Sequence, residues 1–331
     1  MNKVIKLANR PTGKPVSSDF KIEEIKKPSP SDGEMLLKPK FVSVDPYLRG
    51  RMRDVESYVD PFKLNKAISS PIVAEVISSE NTSFEKGDYV TAELEWKKYQ
   101  LSNGNGLRKI NPDLAPLSAH LGVLGLTGIA AFIGLTEIGV PKEEETLVVS
   151  GAAGAVGSVV GQIGKIKGCH VVGIAGSDEK VELLKSKFGF DAAINYKTTE
   201  NMSNAISQAA ESGVDVYFDN VAGDISDGVY QNMNNFGRII NCGAIALYNA
   251  TSVPTGPRLE PMMVQKRLSM QGFIVSDYQE KFPEAVKQLA KWLKKGELEY
   301  AETIVEGFDN IPNAFLGLFE GDNKGKMIVK I

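Results

Sequence analysis

Histidine and cysteine are scarce in this chain of 331 residues, which holds two of each. The two cysteines, Cys169 and Cys242, are too few for a disulfide framework or for a zinc site of four cysteines. His170 directly follows Cys169, but adjacent residues of a strand face opposite sides of the sheet and are poorly placed to share a metal. We therefore expect a protein that binds no metal.

Long apolar runs and an excess of charge of one sign are also missing. No run approaches the roughly 20 apolar residues that span a bilayer, and residues 1–15 lack the apolar core of a secretory signal. Lys and Arg number 38 against 41 Asp and Glu, and the net charge of -3 gives no reason to expect a nucleic acid or a membrane as partner. These absences predict a cytoplasmic globular protein, and its length corresponds to about two domains.

The first 120 residues have the pattern of a β-rich domain. Short apolar segments at 35–37, 72–77 and 88–92 are separated by clusters of Pro, Gly, Asn and Ser. Residues 85–88 form a turn signal directly ahead of the third segment. Strands at this spacing predict a small barrel or sandwich.

Strand and helix patterns alternate from about residue 120 onward. Strands are predicted at 145–150, 170–175, 192–195, 214–219, 237–242 and 268–275. Helices are predicted at 121–138, 156–167, 177–188, 201–211, 228–236 and 281–295, and the tail at 325–330 returns to β character. Six strands with helical crossovers predict an α/β fold with a doubly wound parallel sheet.

A glycine-rich loop follows the first of these six strands. Residues 151–158 read Gly-Ala-Ala-Gly-Ala-Val-Gly-Ser. Gly154 and Gly157 have the spacing of the last two glycines of a dinucleotide fingerprint, with Ala152 where the strict pattern has Gly. Gly154 lets a pyrophosphate approach the backbone, and Gly157 permits close packing of helix against strand. Because strand, loop, helix and second strand follow in order, the loop predicts a bound dinucleotide rather than a plain turn.

The second strand ends without the carboxylate that holds the ribose 2′-hydroxyl of NAD. Its end reads Ala-Gly-Ser at 175–177, and Lys180 lies in the first turn of the next helix. Small and basic groups suit a 2′-phosphate and favour NADP over NAD. Asp178 and Glu179 keep NAD open, since either could reach back to the ribose, although acidic residues are also common at helix N-termini.

Further segments extend this pattern over nearly the whole chain. They lie at 44–52 (Val-Asp-Pro-Tyr-Leu-Arg-Gly-Arg-Met), 122–132, 152–167, 176–180, 195–197, 219–221, 242–245, 266–275 and 321–326. With these segments in this order, the chain resembles the zinc-free branch of the medium-chain dehydrogenase/reductase superfamily. Within that branch it is similar to the group of leukotriene B4 dehydrogenases, prostaglandin reductases and double-bond reductases, which includes curcumin reductase-like enzymes.

The resemblance implies two domains and an activity. A GroES-like domain would cover 1–120 and be completed by 296–331, and a Rossmann domain would cover 121–295. The cofactor would be NADPH. The implied activity is reduction of the C=C bond of α,β-unsaturated aldehydes or ketones by hydride transfer to the β-carbon, without a metal. We expect a homodimer that acts on a small enone or enal.

The resemblance also assigns cofactor-binding residues. Lys180 and Tyr196 would contact the 2′-phosphate, in a pocket lined by Gly176 and Ser177. The other implied residues are Ala152, Ala153, Gly154, Ala155, Val156 and Gly157 of the glycine loop, together with Asn220, Cys242, Gly243, Ala244, Ile245, Tyr248, Phe273, Ile274, Val275 and Asn323.

Two positions depart from the pattern of the group, both where the substrate end of the cofactor should lie. Gln265 stands where the eukaryotic double-bond reductases have a Tyr, and Ala130 where the group has a Thr. The identity of the enone therefore stays open.

The implied reaction needs hydrogen-bond donors for the carbonyl oxygen, which gathers charge as the enolate forms. His120 and His170 fall at core or strand positions and are expected to be structural. Tyrosine hydroxyls are the better candidates. Tyr47 and Tyr58 are the predicted catalytic residues, Tyr47 in a proline-fixed loop and Tyr58 in a segment that could cover the substrate, with Tyr248 as a third candidate.

Other residues of the first domain leave more than one interpretation. Arg49 and Arg51 are expected to anchor the loop rather than touch substrate, whereas Trp96 and Tyr99 fit either a pocket wall or the core. Two alternative functions also stay open on the residues alone. One is an NADPH quinone reductase, and the other is a catalytically weak NADP(H)-binding redox sensor.

Overall fold

The computed structural model describes residues 1–331. Its strands are β1 (Asn2–Leu7), β2 (Phe20–Ile25), β3 (Met35–Ser43), β4 (Ser69–Ser79), β5 (Tyr89–Glu95), β6 (Gln100–Ser102), β7 (Arg108–Lys109), β8 (Thr146–Val149), β9 (His170–Ala175), β10 (Ala192–Asn195), β11 (Val214–Asp219), β12 (Met233–Asn241), β13 (Ser269–Gly272), β14 (Glu302–Glu306) and β15 (Lys326–Lys330). Its α-helices are α1 (Leu48–Arg51), α2 (Leu126–Ile133), α3 (Gly157–Ile166), α4 (Asp178–Ser186), α5 (Met202–Ala209), α6 (Asp224–Gln231), α7 (Glu260–Lys266), α8 (Phe282–Lys295) and α9 (Ile311–Gly317).

The chain forms two compact units. The first consists of Met1–Leu121, Glu302–Asn323 and Met327–Ile331, and the second of Gly122–Ala301 and Lys324–Lys326. The first unit contains a seven-stranded sheet in the order β14-β15-β3-β4-β5-β7, with β6 paired to β3, and a separate β1-β2 pair. The β-rich character predicted for the N-terminal part is confirmed.

Large apolar side chains fill the core of the first unit. Trp96 and Phe315 are each 1% exposed. The Trp96 Nε1–H donates a hydrogen bond of 2.8 Å to Ser70 Oγ, so its one polar atom is satisfied inside the core. Trp96 is therefore a core residue. Tyr99 is half-buried and has the Lys27 ammonium 4.3 Å from its ring centre.

The second unit is built on a six-stranded sheet in the order β10-β9-β8-β11-β12-β13. All its neighbouring strands are parallel. Residues of β8 are buried throughout because helices cover both faces of such a sheet. The predicted doubly wound parallel sheet is confirmed, and the strand order reverses between β8 and β11.

Strand β12 corrects one prediction. Residues 233–236 were predicted to continue a helix, but α6 ends at Gln231 and Met233 already pairs with Val214 of β11. A bulge follows in the register, where Phe236 adopts φ +63° and is 66% exposed. The polar run at 234–235 has no strand alternation, and the pairing of Met233 and Arg238 with β11 on either side of the bulge fixes its conformation.

Several boundaries also differ from the prediction. The helix predicted over 121–138 is α2 flanked by a 3₁₀ turn at Leu117–Leu121 and a π-helical turn at Gly134–Gly139. The sixth strand, predicted to reach residue 275, ends at Gly272. The helical region is apolar and largely buried, and β13 is only four residues long. Hydrophobic periodicity alone therefore does not locate the ends of these elements.

Three helices and five strands were not predicted, namely α1, α7, α9, β1, β2, β6, β7 and β14. Helices α7 and α9 carry a proline in the first turn, Pro261 and Pro312, which is a start signal available in the sequence. None of the helices is long and apolar enough to cross a membrane.

Candidate active site

The candidate site of the second unit lies at the carboxyl ends of its parallel strands. Strands β8, β9, β11 and β12 end at Val149, Ala175, Asp219 and Asn241. Because the strand order reverses between β8 and β11, the crevice there is where such sheets bind ligands. Most of the residues predicted to bind the cofactor follow directly after these strand ends.

The glycine loop turns sharply from β8 into α3, which begins at Gly157. A Cβ at Gly157 would lie 2.5 Å from the Gly151 carbonyl oxygen and 2.7 Å from Ala152 Cα, so only glycine fits. Ala152 and Ala153 are buried and their side chains do not face solvent. Gly154, Ala155 and Val156 are partly exposed at the mouth of the loop.

A short C-terminal segment lies against this loop, and the sequence did not predict this contact. The Gly325 N–H donates a hydrogen bond of 2.7 Å to the Ala153 carbonyl oxygen, and Gly325 forms a parallel bridge with Gly154. Gly325 has φ +66°, and a Cβ there would lie 1.9 Å from the Ala301 carbonyl oxygen. Residue 325 is therefore restricted to glycine by both conformation and space.

The predicted 2′-phosphate residues come together at the start of α4. Ser177 caps this helix, and its Oγ accepts a hydrogen bond of 3.3 Å from the Lys180 N–H. The Tyr196 ring lies against Gly176, where a Cβ would come within 2.9 Å of the ring. Lys180 is half-buried and Tyr196 is 40% exposed.

Both acidic residues that kept NAD open have partners. Asp178 Oδ1 accepts a hydrogen bond of 2.7 Å from Asn195 Nδ2. The Glu179 carboxylate forms an ion pair with the Lys324 ammonium. Asn195 and Lys324 were not in the predicted site, and no local pattern indicates either contact.

A buried hydrogen-bond network holds the end of β11. Asp219 is 1% exposed, and its Oδ1 accepts hydrogen bonds from Ser150 Oγ at 2.7 Å and Tyr217 OH at 2.9 Å. The N–H groups of Val221 and Ala222 donate to the same oxygen at 2.9 and 3.0 Å. Asp219 Oδ2 accepts a further bond of 2.7 Å from the Ser226 hydroxyl. The Asp219 carboxylate is thus the acceptor in all of these hydrogen bonds.

The same network positions several of the residues predicted to line the cofactor site. Asn220 Nδ2 donates to the Ser150 carbonyl oxygen at 2.8 Å, and the N–H groups of Cys242 and Gly243 donate to the Asp219 carbonyl oxygen at 2.8 and 3.1 Å. Burial raises the pKa of the Cys242 thiol to about 12, with Asp219 adding to the shift. At neutral pH this thiol is protonated and is a weak nucleophile.

Two further predicted groups close this end of the site. Tyr248 OH accepts a hydrogen bond of 3.2 Å from the Ala244 N–H, which fixes the turn containing Ile245. Burial raises the pKa of Tyr248. After β13, Phe273 packs edge-on against Tyr278 with ring centres 6.3 Å apart.

The remaining predicted positions differ in their exposure. Ile274 and Val275 follow Phe273 at the carboxyl end of β13 and are half-buried. Ala130 is 8% exposed in α2, and Gln265 is exposed in α7. Asn323 lies in the first unit.

The predicted catalytic tyrosine Tyr47 lies in the first unit, immediately before α1. It is half-buried and packs against the core of that unit. Burial raises the pKa of Tyr47 well above its ordinary value, and the carboxylates of Asp45 and Glu93 raise it further. The phenol is therefore protonated at neutral pH and keeps a proton to donate.

Tyr58 lies in the segment that follows α1 and is 61% exposed. Its phenol is close enough to Tyr47 to raise the pKa of that residue slightly through charge repulsion. The two predicted tyrosines therefore lie on the same part of the first unit.

The two arginines of the same segment anchor it, as predicted. Arg49 is 1% exposed, and its guanidinium donates to the carbonyl oxygens of Gly13 at 2.8 Å and Pro11 at 3.1 Å. Arg51 pairs with the Glu93 carboxylate at 2.6 Å. Both guanidinium groups thus fix the backbone around Tyr47.

Neither histidine lies in a group of metal ligands. Burial lowers the pKa of His120, which is 4% exposed, and its imidazole is neutral at pH 7. His170 Nε2 lies 2.9 Å from the Ala209 carbonyl oxygen. No three or more His, Cys, Asp or Glu side chains are arranged to hold a metal ion.

Two family models match the chain. The model described as the N-terminal domain of oxidoreductase matches residues 3–110, and the model described as zinc-binding dehydrogenase matches residues 155–291. These matches cover the N-terminal part of the first unit, without its strands β14 and β15, and most of the second unit.

Curated relatives match along nearly the whole length. A putative NADP-dependent oxidoreductase of Bacillus subtilis is 56% identical over 329 residues, which is 99% of this chain and 97% of the relative. A 2-alkenal reductase (NADP(+)-dependent) of Nicotiana tabacum is 41% identical over 336 residues, covering 100% of this chain and 97% of the relative.

A solved structure matches equally completely. The structure of CurA in complex with NADPH from Vibrio vulnificus has a TM-score of 0.94 and 42% sequence identity, covering 99% of this chain and 98% of that chain. With the two family models and full-length relatives in agreement, the chain belongs to the zinc-free branch of the medium-chain dehydrogenase/reductase superfamily, in the group of the prostaglandin, curcumin and 2-alkenal reductases.

Proposed function

We propose that this protein is an NADPH-dependent reductase of the C=C bond of α,β-unsaturated aldehydes and ketones. The observation that carries the proposal is full-length similarity to a 2-alkenal reductase, combined with a ribose pocket whose acidic neighbours are already paired. Each of these carboxylates already engages a partner, whereas Lys180 offers a positive charge to a 2′-phosphate.

The residues of the second unit fit a dinucleotide. Gly157 brings the start of α3 close to the loop, where its N–H groups suit a pyrophosphate. Lys180 and Tyr196 hold the 2′-phosphate in this proposal, and Gly176 leaves room for the Tyr196 ring. When bound, NADPH supplies the hydride that reduces the β-carbon of the substrate.

The nicotinamide end is assigned to the segments after β11, β12 and β13. Asn220, residues 242–245 and Tyr248 form one wall, and residues 273–275 form the other. The Asp219 network supports this wall, because Asn220 and Gly243 hydrogen-bond to its members. Asn323 is assigned to the cofactor as well.

Tyr47 is the proposed donor to the carbonyl oxygen that becomes an enolate. Its raised pKa keeps the proton on the phenol across the neutral range. Arg49 and Arg51 keep its backbone in one place, so little reorganisation is needed as charge develops. Tyr58 is proposed to assist from the neighbouring exposed segment, and the α-carbon takes its proton from a phenol or from water.

We also propose a cytoplasmic homodimer. Strand β13 is the edge of the parallel sheet, and an open edge presents unpaired backbone groups to a second strand. Phe236 on β12 is 66% exposed and Val264 on α7 is 78% exposed, which supplies apolar surface near that edge. Light scattering on the purified protein should give twice the monomer mass of 35.9 kDa. A monomer mass would reject the dimer.

The test of the function is the loss of NADPH absorbance at 340 nm with a panel of enals, enones and quinones. Turnover of enals and enones with formation of the saturated carbonyl product supports the proposal. Turnover of quinones alone indicates a quinone reductase. NADPH binding without turnover of any member would leave only a binding protein and would reject the proposed reaction.

A further inference from the structure

An ion pair bridges two distant segments beside the proposed 2′-phosphate pocket. The Lys324 ammonium pairs with the Glu179 carboxylate, and 145 residues separate the two in sequence. Glu179 directly precedes Lys180, the proposed phosphate ligand. The charge at Glu179 therefore acts on whatever anion Lys180 holds.

The backbone places Lys324 at this position. Its neighbour Gly325 is bonded to Ala153 of the glycine loop, and the Lys326 N–H donates to the Ala301 carbonyl oxygen at 2.9 Å. Lys324 is thus held against the glycine loop at one end while its ammonium reaches α4 at the other. The side chain crosses from the proposed pyrophosphate site toward the proposed 2′-phosphate site.

The two acidic residues of the first turn of α4 have different partners. Asp178 accepts from the neutral Asn195 amide, which leaves its negative charge in place. Glu179 is paired with a full positive charge. The Glu179 side chain is 72% exposed and that of Lys324 is 41% exposed, so the pair contributes little to folding stability. Its electrostatic effect on a nearby dianion is the larger consequence.

We propose that Lys324 determines cofactor preference by acting through Glu179. A phosphate monoester carries about -1.5 to -2 charges at pH 7, and an unpaired Glu179 beside Lys180 would repel it. The same unpaired carboxylate would accept a hydrogen bond from the 2′-hydroxyl of NADH. Lys324 suppresses both effects by neutralising Glu179, and it is therefore a positioning residue for NADPH selectivity. This inference rests on the proposed 2′-phosphate pocket.

The experiment measures dissociation constants of NADPH and NADH by quenching of protein fluorescence, with no substrate present. Lys324→Gln should weaken NADPH binding about five- to thirty-fold and leave NADH unchanged or tighter. Glu179→Gln alone should not weaken NADPH. The double variant Lys324→Gln/Glu179→Gln should bind NADPH within about threefold of wild type, since the repelling charge has gone. Lys324→Arg should retain wild-type affinity.

The matched control is Lys295→Gln, which removes another surface lysine paired with a glutamate, Glu297, in the same unit. It should bind both cofactors as wild type does. The loss of NADPH affinity in Lys324→Gln should also become smaller as salt is raised from about 0.05 to about 0.5 M, because the Debye length shortens over this range.

Three outcomes would overturn the inference. Equal losses of NADPH and NADH in Lys324→Gln would mean that Lys324 only holds the glycine loop. If the double variant binds NADPH as weakly as Lys324→Gln does, Lys324 contacts the phosphate itself. A wild-type protein that binds NADH as tightly as NADPH would reject the 2′-phosphate pocket and the inference together, and the wild-type titration separates this case from the other two.

Discussion

The Ser150 hydroxyl donates a hydrogen bond of 2.7 Å to the buried Asp219 carboxylate. These two residues follow and end the neighbouring strands β8 and β11, on either side of the point where the strand order reverses. The bond therefore ties together the two halves of the parallel sheet at the edge where the cofactor is proposed to bind. It also orients Asn220, whose N–H donates to Ser150 Oγ at 2.9 Å.

Replacing this carboxylate should destabilise the fold. All five hydrogen bonds are donated to the Asp219 carboxylate, so the Nδ2 group of Asp219→Asn would face the Ser226 hydroxyl, which would have to reverse its hydrogen bond. We expect a loss of about 2–4 kcal/mol in the free energy of unfolding, measured by urea denaturation. Ser150→Ala should cost about 1–2 kcal/mol, since it removes one partner and leaves the others. A loss below 0.5 kcal/mol for Asp219→Asn would contradict the role of the network, by comparison with the usual range for surface substitutions.

Removing the Tyr47 hydroxyl should slow the chemical step. If the phenol donates mainly in the transition state, Tyr47→Phe should lower kcat and kcat/KM together by about ten- to a thousand-fold, because water replaces the donor in part. NADPH affinity should not change. Steady-state kinetics and a cofactor titration measure both. Full activity would show that only the ring is needed.

The pH profile gives a second check on Tyr47. Because its pKa is raised well above 10, the phenol should not lose its proton within the range in which most enzymes are assayed. Between pH 7 and about 9.5, ionisation of Tyr47 should therefore not lower the rate of the wild-type enzyme. The wild type and Tyr47→Phe should show the same pH dependence over this range. A decline that vanishes in Tyr47→Phe would mean that the phenol ionises earlier than its burial predicts.

Lys180→Ala should separate the two nicotinamide cofactors. Loss of a charge-assisted hydrogen bond to the 2′-phosphate should weaken NADPH binding by about 1.5–3 kcal/mol and leave NADH nearly unchanged. Calorimetric titration with each cofactor measures the difference. Equal losses for both would remove Lys180 from the phosphate site.

The two thiols predict the alkaline behaviour of the fold. Burial raises the pKa of Cys169 to about 11 and that of Cys242 to about 12, against an ordinary value of 9.0. Above pH 9 the thiols of the unfolded chain lose protons that the folded chain still retains. The contribution of the two thiols to the free energy of unfolding is therefore complete below pH 9 and decreases as the pH rises above it. Urea denaturation at pH 8, 9 and 10 should show this decrease. It should be shallower in Cys169→Ala, and an identical slope would assign the decrease to other groups.

Metal removal tests the expectation drawn from the ligand count. Dialysis against EDTA should leave turnover unchanged, because no cluster of three or more candidate ligands is present. Loss of activity that zinc restores would contradict the interpretation of the two cysteines and two histidines.

The β12 segment shows how tertiary pairing overrides local pattern. Asn234 and Asn235 have no apolar alternation, and sequence alone favoured a helix there. Met233 and Arg238, on either side of this run, pair with Val214 and Val216 of β11, and these pairs hold the segment in the strand. Proline at the first turn of α7 and α9 was, by contrast, a local signal that could have predicted both helices.

The alternating architecture, the glycine loop and the cap at Ser177 follow from the local amino-acid pattern, because each depends on neighbours within a few residues of one another. The sequence also argues against metal-dependent chemistry, since two cysteines and two histidines are few candidate ligands for a metal site. The partners of the acidic residues Asp178 and Glu179 lie 17 and 145 residues away, and the local pattern does not predict them. Hydrogen bonds and ion pairs act over distances of a few ångströms in space, so contacts between segments far apart in sequence exist only once the chain has folded.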